Sequence, residues 1–273
     1  MKILVLALAV SSFAIAGCME EDSSELGDTE QSLFTPTTTW HTCPAGGVCS
    51  NISLGAADVC MITKLDGDFA HAGGARLRQG FAKAWLLDIG SPAANNGIQV
   101  GTQCFNWWAA RNTSPAMLVA WSSQSQSNPV FHGTASTHCF LSQVWNNDTD
   151  KAFFSFDGTD YTTFRIVNQF GHDFEILGEF PPTSNVTIGM VCFAANTDLG
   201  GVAYANGTGQ FQSNIIVPYD NHNFNQAIAC GLTGVGGVFT TPSTTNGIAV
   251  ALADGKWGWE ASNLTTIYAE CVQ

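Results

Sequence analysis

The 273-residue chain reads as an all-β protein of three tandem disulfide-bonded repeats, forming a sandwich-like or pseudo-threefold sheet assembly. Three observations lead there. Short alternating runs are separated by turn dipeptides, cysteine-anchored segments recur three times, and no capped 3.6-period segment follows the amino-terminal leader.

The alternating runs include Ala75-Arg76-Leu77-Arg78, Ala116-Met117-Leu118-Val119-Ala120-Trp121, Thr163-Phe164-Arg165-Ile166-Val167 and Gly247-Ile248-Ala249-Val250-Ala251-Leu252. Asp66-Gly67, Asn96-Gly97, Asp157-Gly158, Asn206-Gly207, Asn246-Gly247 and Asp254-Gly255 punctuate them. Such dipeptides enter positive φ at low cost and match the twist of hairpins. Dense short strands with regular turns are the pattern of a sandwich or barrel-like fold.

Three segments open with a cysteine followed two residues later by an aliphatic: Cys60-Met61-Ile62-Thr63, Cys139-Phe140-Leu141-Ser142 and Cys230-Gly231-Leu232-Thr233. An aromatic strand follows each, around Trp85, Phe174 and Trp257, and each segment closes on a strand carrying Cys104, Cys192 or Cys271. Alternate residues of a strand share a face, so each closing cysteine lies on the face of the aliphatic residues before it. The opening-to-closing intervals are 44, 53 and 41 residues. Cys60–Cys104, Cys139–Cys192 and Cys230–Cys271 are therefore the expected bridges, with Cys43–Cys49 as a local loop; bridges between segments are the alternative. In the chain-entropy model a loop of about 45 residues contributes roughly 4 kcal/mol and the short loop about 2. Trp40, Trp121 and Phe211 precede the opening cysteines by 20, 18 and 19 positions, which places β repeats at 40–120, 121–210 and 211–273, the last shorter and dependent on its neighbours.

Residues 1–17 form a signal peptide: Lys2 is the only charge before an apolar and small-residue run ending at Ala16. Ile15-Ala16-Gly17-Cys18 resembles the lipobox of bacterial lipoproteins. The resemblance implies cleavage before Cys18, diacylglycerol on its sulfur, acylation of the new amino terminus, and a lipid-anchored place in the bacterial outer membrane or at the cell surface. Residues 18–39 read as an acidic, Ser/Thr-rich tether with too few aliphatics to offset the entropy of ordering.

Formal charge is −13 for the whole chain. Arg76, Arg78, Lys83 and Arg111 are the densest basic group, too scattered for a phosphate-binding stripe, so nucleic acid is not an expected partner. No G-x-S-x-G, H-E-x-x-H, Walker or dinucleotide fingerprint occurs. His172-Asp173 is the first candidate acid–base pair for an exported hydrolase. Asn146, Asp148, Asp150 and Asp157 have the spacing of oxygen ligands in a calcium loop, although Lys151 stands where such a loop needs glycine. No other cofactor is expected.

Trp107, Trp108, Trp257 and Trp259 are the candidate ligand-binding residues, because an exposed indole beside amides and carboxylates suits the apolar face and hydroxyls of a sugar. The function expected is noncatalytic binding or adhesion at the cell surface, with a glycan or a surface protein as partner. An envelope structural protein and an exported hydrolase are the alternatives. Mass spectrometry of the protein from its native membrane is expected to show a chain beginning at a diacylglyceryl-modified, acylated Cys18; an unmodified Cys18 contradicts the lipid anchor.

Overall fold

The computed structural model describes residues 37–67, 73–91, 97–105, 117–122, 130–133, 137–147, 162–169, 173–179, 185–194, 202–206, 217–218, 229–237, 247–253, 256–261 and 266–272. The signal peptide, Cys18 and the tether up to Pro36 lie outside them. The described chain is strand almost throughout, with one 3₁₀ turn at Phe81–Lys83.

The strands fall into sets of six along the sequence. The first set is β1 (Thr37–Cys43), β2 (Val48–Ala56), β3 (Val59–Gly67), β4 (Gly73–Gln79), β5 (Ala84–Gly90) and β6 (Ile98–Phe105). The second is β7 (Met117–Ser122), β8 (Val130–His132), β9 (Thr137–Asn146), β10 (Thr162–Gln169), β11 (Asp173–Glu179) and β12 (Val186–Ala194). The third is β13 (Val202–Asn206), β14 (Val217–Pro218), β15 (Ala229–Gly237), β16 (Gly247–Ala253), β17 (Lys256–Ala261) and β18 (Thr266–Val272).

These strands make three six-stranded sheets. Sheet I runs β1-β6-β3-β16-β17-β14, sheet II β7-β12-β9-β4-β5-β2, and sheet III β13-β18-β15-β10-β11-β8. Each sheet thus takes the first, sixth and third strands of one set and continues into the fourth, fifth and second of another. The continuations pass from first set to sheet II, second set to sheet III, and third set back to sheet I, which closes the cycle. The strands joining the two halves, β3 with β16, β9 with β4 and β15 with β10, pair antiparallel like the rest.

The all-β, sandwich-like assembly agrees with the fold class read from the sequence, and no sheet belongs to one stretch of sequence. The sets begin and end near 37–105, 117–194 and 202–272, so the boundaries placed at Trp121 and Phe211 fall after the first strand of a set has begun. The third set is not shorter in strands, because β13 lies ahead of the Phe211 boundary and belongs with it. Thr37–Thr39, placed in the tether, begin β1 opposite Cys104, Gln103 and Thr102, as suits β-branched residues after a proline.

The four disulfides join Cys43–Cys49, Cys60–Cys104, Cys139–Cys192 and Cys230–Cys271. The last three link residues directly opposite in the β3–β6, β9–β12 and β15–β18 pairs. In each of these pairs the residue three places after the opening cysteine is skipped by the register, leaving Thr63, Ser142 and Thr233 as bulges. The bulge reverses which side the following residues face, so Lys64 comes to the solvent side while Ile62 and Leu65 stay inside.

Within the first set, β1-β6-β3 lies over β2-β5-β4. Cys43–Cys49 ties β1 to β2, and the Cys43 sulfur sits 3.7 Å from the Ile89 carbonyl of β5. Ile62, Leu65, Ile98 and Val100 on one side and Trp85, Leu87, Ile89, Ala75 and Leu77 on the other are all buried. Trp85 also donates its indole N–H to the Ala57 carbonyl at 3.0 Å, which satisfies the one polar atom the ring brings inside.

The leading halves of β3, β9 and β15 are buried on both faces, since these three strands pack against one another. The residues after the opening cysteines meet there. A Cβ on Gly231 would stand 2.5 Å from Met61 Sδ and 2.8 Å from Phe140 Cδ1, so only glycine fits between those side chains. Phe140 stacks on Phe193, which meets Phe105 edge-on. His138 Nδ1 and Glu270 Oε1, 3.1 Å apart, tie β9 to β18 beside this junction.

Gly231→Ala is expected to lower stability by about 2 kcal/mol through overpacking. In urea titrations, combining it with Met61→Ala is expected to cost at least about 1 kcal/mol less than the two single losses added; strict additivity would show that Gly231 does not press on Met61.

Candidate functional site

The outer face of β1, β6 and β3 presents an indole among ordered polar side chains. Register places Trp40, Gly101 and Lys64 in one row across the three strands, and Thr42, Gln99 and Asp66 in the next. Trp40 and Lys64 meet over the middle strand, where Gly101 carries no side chain, with the ammonium 4.2 Å from the ring centroid. A Cβ on Gly101 would lie 2.6 Å from Lys64 Cβ, so the bulge at Thr63 and the glycine opposite it belong together. Lys64 Nζ donates to Gln99 Oε1 at 2.6 Å and lies 3.6 Å from Asp66; Gln99 Nε2 donates to Thr42 Oγ1 at 3.2 Å. These contacts hold the polar groups in place while Trp40 remains 55% exposed.

Sheet III repeats the bridging of a glycine. Arg165 and Tyr268 flank Gly234 in register, and the guanidinium lies 5.7 Å from the ring. Sheet II has a denser device. Asp88, buried on β5, accepts from Arg76 Nη2 at 2.9 Å, from Arg78 Nε at 2.6 Å and Nη2 at 2.9 Å, and from the Asn51 backbone N–H at 2.9 Å. Asn51 sits at φ 59 in a bulged stretch of β2, and its side-chain oxygen takes a further bond from Arg78. The Arg78 hydrogen bond above all, then the Asn51 amide and Arg76, hold the Asp88 carboxyl far below the usual carboxylate range despite its burial. Arg76 also lies over Trp145. Lys83 pairs with Asp58. Three of the four cations singled out in the sequence are therefore tied to carboxylates in this fold, and Arg111 lies outside the described residues.

The candidate acid–base pair is arranged differently from its sequence neighbourhood. His172 lies outside the described residues, and Asp173 instead faces His132 across β8 and β11, with 2.9 Å between Nδ1 and Oδ1. Both are open to water, at 79% and 37%, so this is a solvated cross-strand pair. Asn146 ends β9, opposite Val186 and Gly73, and is buried rather than opening a loop. Asp148, Asp150 and Asp157 lie outside the described residues, as do Trp107 and Trp108. Trp257 and Trp259 are on β17, opposite Leu252 and Val250, with side chains outside the described set.

Trp40 served in the sequence only as a spacing marker. Its neighbours on the same face of the strand are Thr38 and Thr42, whereas those of the buried Trp85 are Leu87 and Ile89. Period-two alternation distinguishes the two tryptophans on that ground alone. No family model, curated protein or solved structure matches the chain.

Because Asp88 is held ionised by its partners, its contribution to stability is complete above the ordinary carboxylate pKa and is lost as pH falls from about 5 toward its lowered value. Asp88→Asn is expected to cost about 2–3 kcal/mol at neutral pH and to flatten the acid limb of stability against pH in denaturant titrations. An unchanged acid limb would contradict this.

Proposed function

We propose that this chain is a noncatalytic, lipid-anchored cell-surface protein whose triplicated, disulfide-stapled β body binds carbohydrate, with the outer face of β1, β6 and β3 as the binding surface. The single observation that carries the reading is Trp40. It is a large apolar plate left open beside Lys64, Gln99, Asp66 and Thr42, groups already fixed by bonds to one another.

A pyranose has an apolar face and a rim of hydroxyls. The indole receives the first by stacking, and amide, carboxylate and hydroxyl groups fix the second. Polar groups held before binding lose little entropy when a ligand arrives, which suits a surface whose contacts are few. Lys64 against one side of the ring orients it. The acidic tether holds the body off the bilayer, and the acyl chains on Cys18 supply the anchor.

Glycan-array screening followed by calorimetric titration of the best binder tests this. Trp40→Ala is expected to weaken binding roughly tenfold or more with the melting temperature nearly unchanged. Undiminished binding in that variant, or no glycan retained while the chain crosslinks to another envelope protein, would overturn the carbohydrate reading.

A further inference from the structure

The outer face of sheet II sets an aromatic plate beside an uncancelled positive charge. Register places Thr187, Trp145, Gly74 and Gly90 in one row across β12, β9, β4 and β5. Neither glycine carries a side chain, so the half-buried indole lies along the sheet over β4. A Cβ on Gly90 would stand 3.0 Å from Trp145 Cη2, the far end of the ring. On the other side of Trp145, Thr187 Oγ1 accepts from Asn147 Nδ2 at 2.9 Å, which fixes an exposed amide and a hydroxyl next to the plate.

The next row holds Gln143, Arg76 and Asp88, and Arg78 follows two residues along β4. The Arg76 guanidinium lies 5.4 Å from the Trp145 ring. Both arginines spend Nε and Nη2 on Asp88, with a further bond from Arg78 Nη2 to Asn51. Neither Nη1 has a partner among the described residues, and the two side chains stay 42% and 39% exposed. Lys64 and Lys83 each meet a carboxylate of their own, Asp66 and Asp58. Here two guanidinium charges share one carboxylate, so one positive charge is left over on a chain of formal charge −13.

We propose that this face binds a sugar acid, a pyranose carrying one carboxylate, with the Arg76 and Arg78 Nη1 groups taking the anion and Trp145 receiving the apolar side of the ring. A carboxylate is the planar acceptor that guanidinium N–H groups match. Its single charge balances the one left over, whereas a polyanion is disfavoured by the acidity of the rest of the chain. Asp88 already holds both arginines in place, so little side-chain freedom is lost when the anion arrives. The amide of Asn147 and the hydroxyl of Thr187 stand where ring hydroxyls need partners. Because the arginines remain in contact with water, the ion pairing is weak and one sugar binds in the millimolar range. This site is on a different sheet from Trp40 and stands whether or not that face binds carbohydrate.

The test uses the full chain with its disulfides intact and nitrogen-labelled arginine, titrated with methyl glucuronoside, methyl galacturonoside, methyl sialoside and the neutral methyl ester of each. At least one acid is expected to give saturable shifts of the Arg76 and Arg78 side-chain signals at millimolar concentration, and its ester to bind roughly tenfold more weakly. Gln143→Glu sets a carboxylate in register with Arg76 and removes none of the bonds to Asp88. It should weaken acid binding roughly tenfold with the melting temperature nearly unchanged. Trp145→Ala should weaken acid and ester alike, and Trp40→Ala should change neither, which separates this site from the face of sheet I. Failure of all three acids to saturate, ester binding equal to acid, or undiminished acid binding in folded Gln143→Glu would overturn the proposal and leave the arginines as a structural ion cluster.

Discussion

Everything in this fold passes through the place where β3, β9 and β15 pack together. Met61 and Phe140 fill it, and Gly231 yields the room they take. At the same strands each sheet changes hands, because β3, β9 and β15 are the last strands of one set and the first to pair with the next. A disulfide then fastens each of them to its neighbour in register. Burial on both faces explains why these strands carry such continuous apolar sequence; among the polar exceptions, His138 is tied across strands to Glu270.

The bulges just beyond the cysteines link that interior to the surface. Two residues on one strand face one on its partner, so a glycine is needed nearby: Gly101 opposite Lys64, Gly189 opposite Gln143, and Gly234 opposite Tyr268. A missing side chain leaves a gap on the outer face. In sheets I and III the gap is crossed by a cation meeting an aromatic ring, Lys64 with Trp40 and Arg165 with Tyr268. The exposed indole on which the functional reading rests is thus a consequence of how the disulfide-bearing pairs are built.

Much of this architecture is legible in the amino-acid sequence. The opening motifs, the alternating runs near Ala75, Thr163 and Gly247, the aromatic strands near Trp85, Phe174 and Trp257, and the closing cysteines correspond to the third, fourth, fifth and sixth strands of the sets. The run ending at Trp121 corresponds to the first strand of the second set, but other first and second strands are harder to see. Strand β14 has only two residues, β8 only three, and β1 is mostly threonine, so none shows a clear apolar alternation. Exchange between sets is invisible for a different reason: alternation tells which way a side chain faces, not which strand lies beside it. The candidate surface escapes a reading that looks for tryptophans with amides and carboxylates nearby in the chain, because Trp40 lies between threonines and meets Lys64, Gln99 and Asp66 only through strand pairing.

Cyclic sharing of strands implies that no set of six can unfold while the others remain intact. Scanning calorimetry of the full chain with its disulfides intact tests this most directly. The expected result is one transition whose van't Hoff and calorimetric enthalpies agree. Two or three resolved transitions, each with its own share of the enthalpy, would mean that the sets fold as separate modules and that the closed cycle does not hold the molecule together.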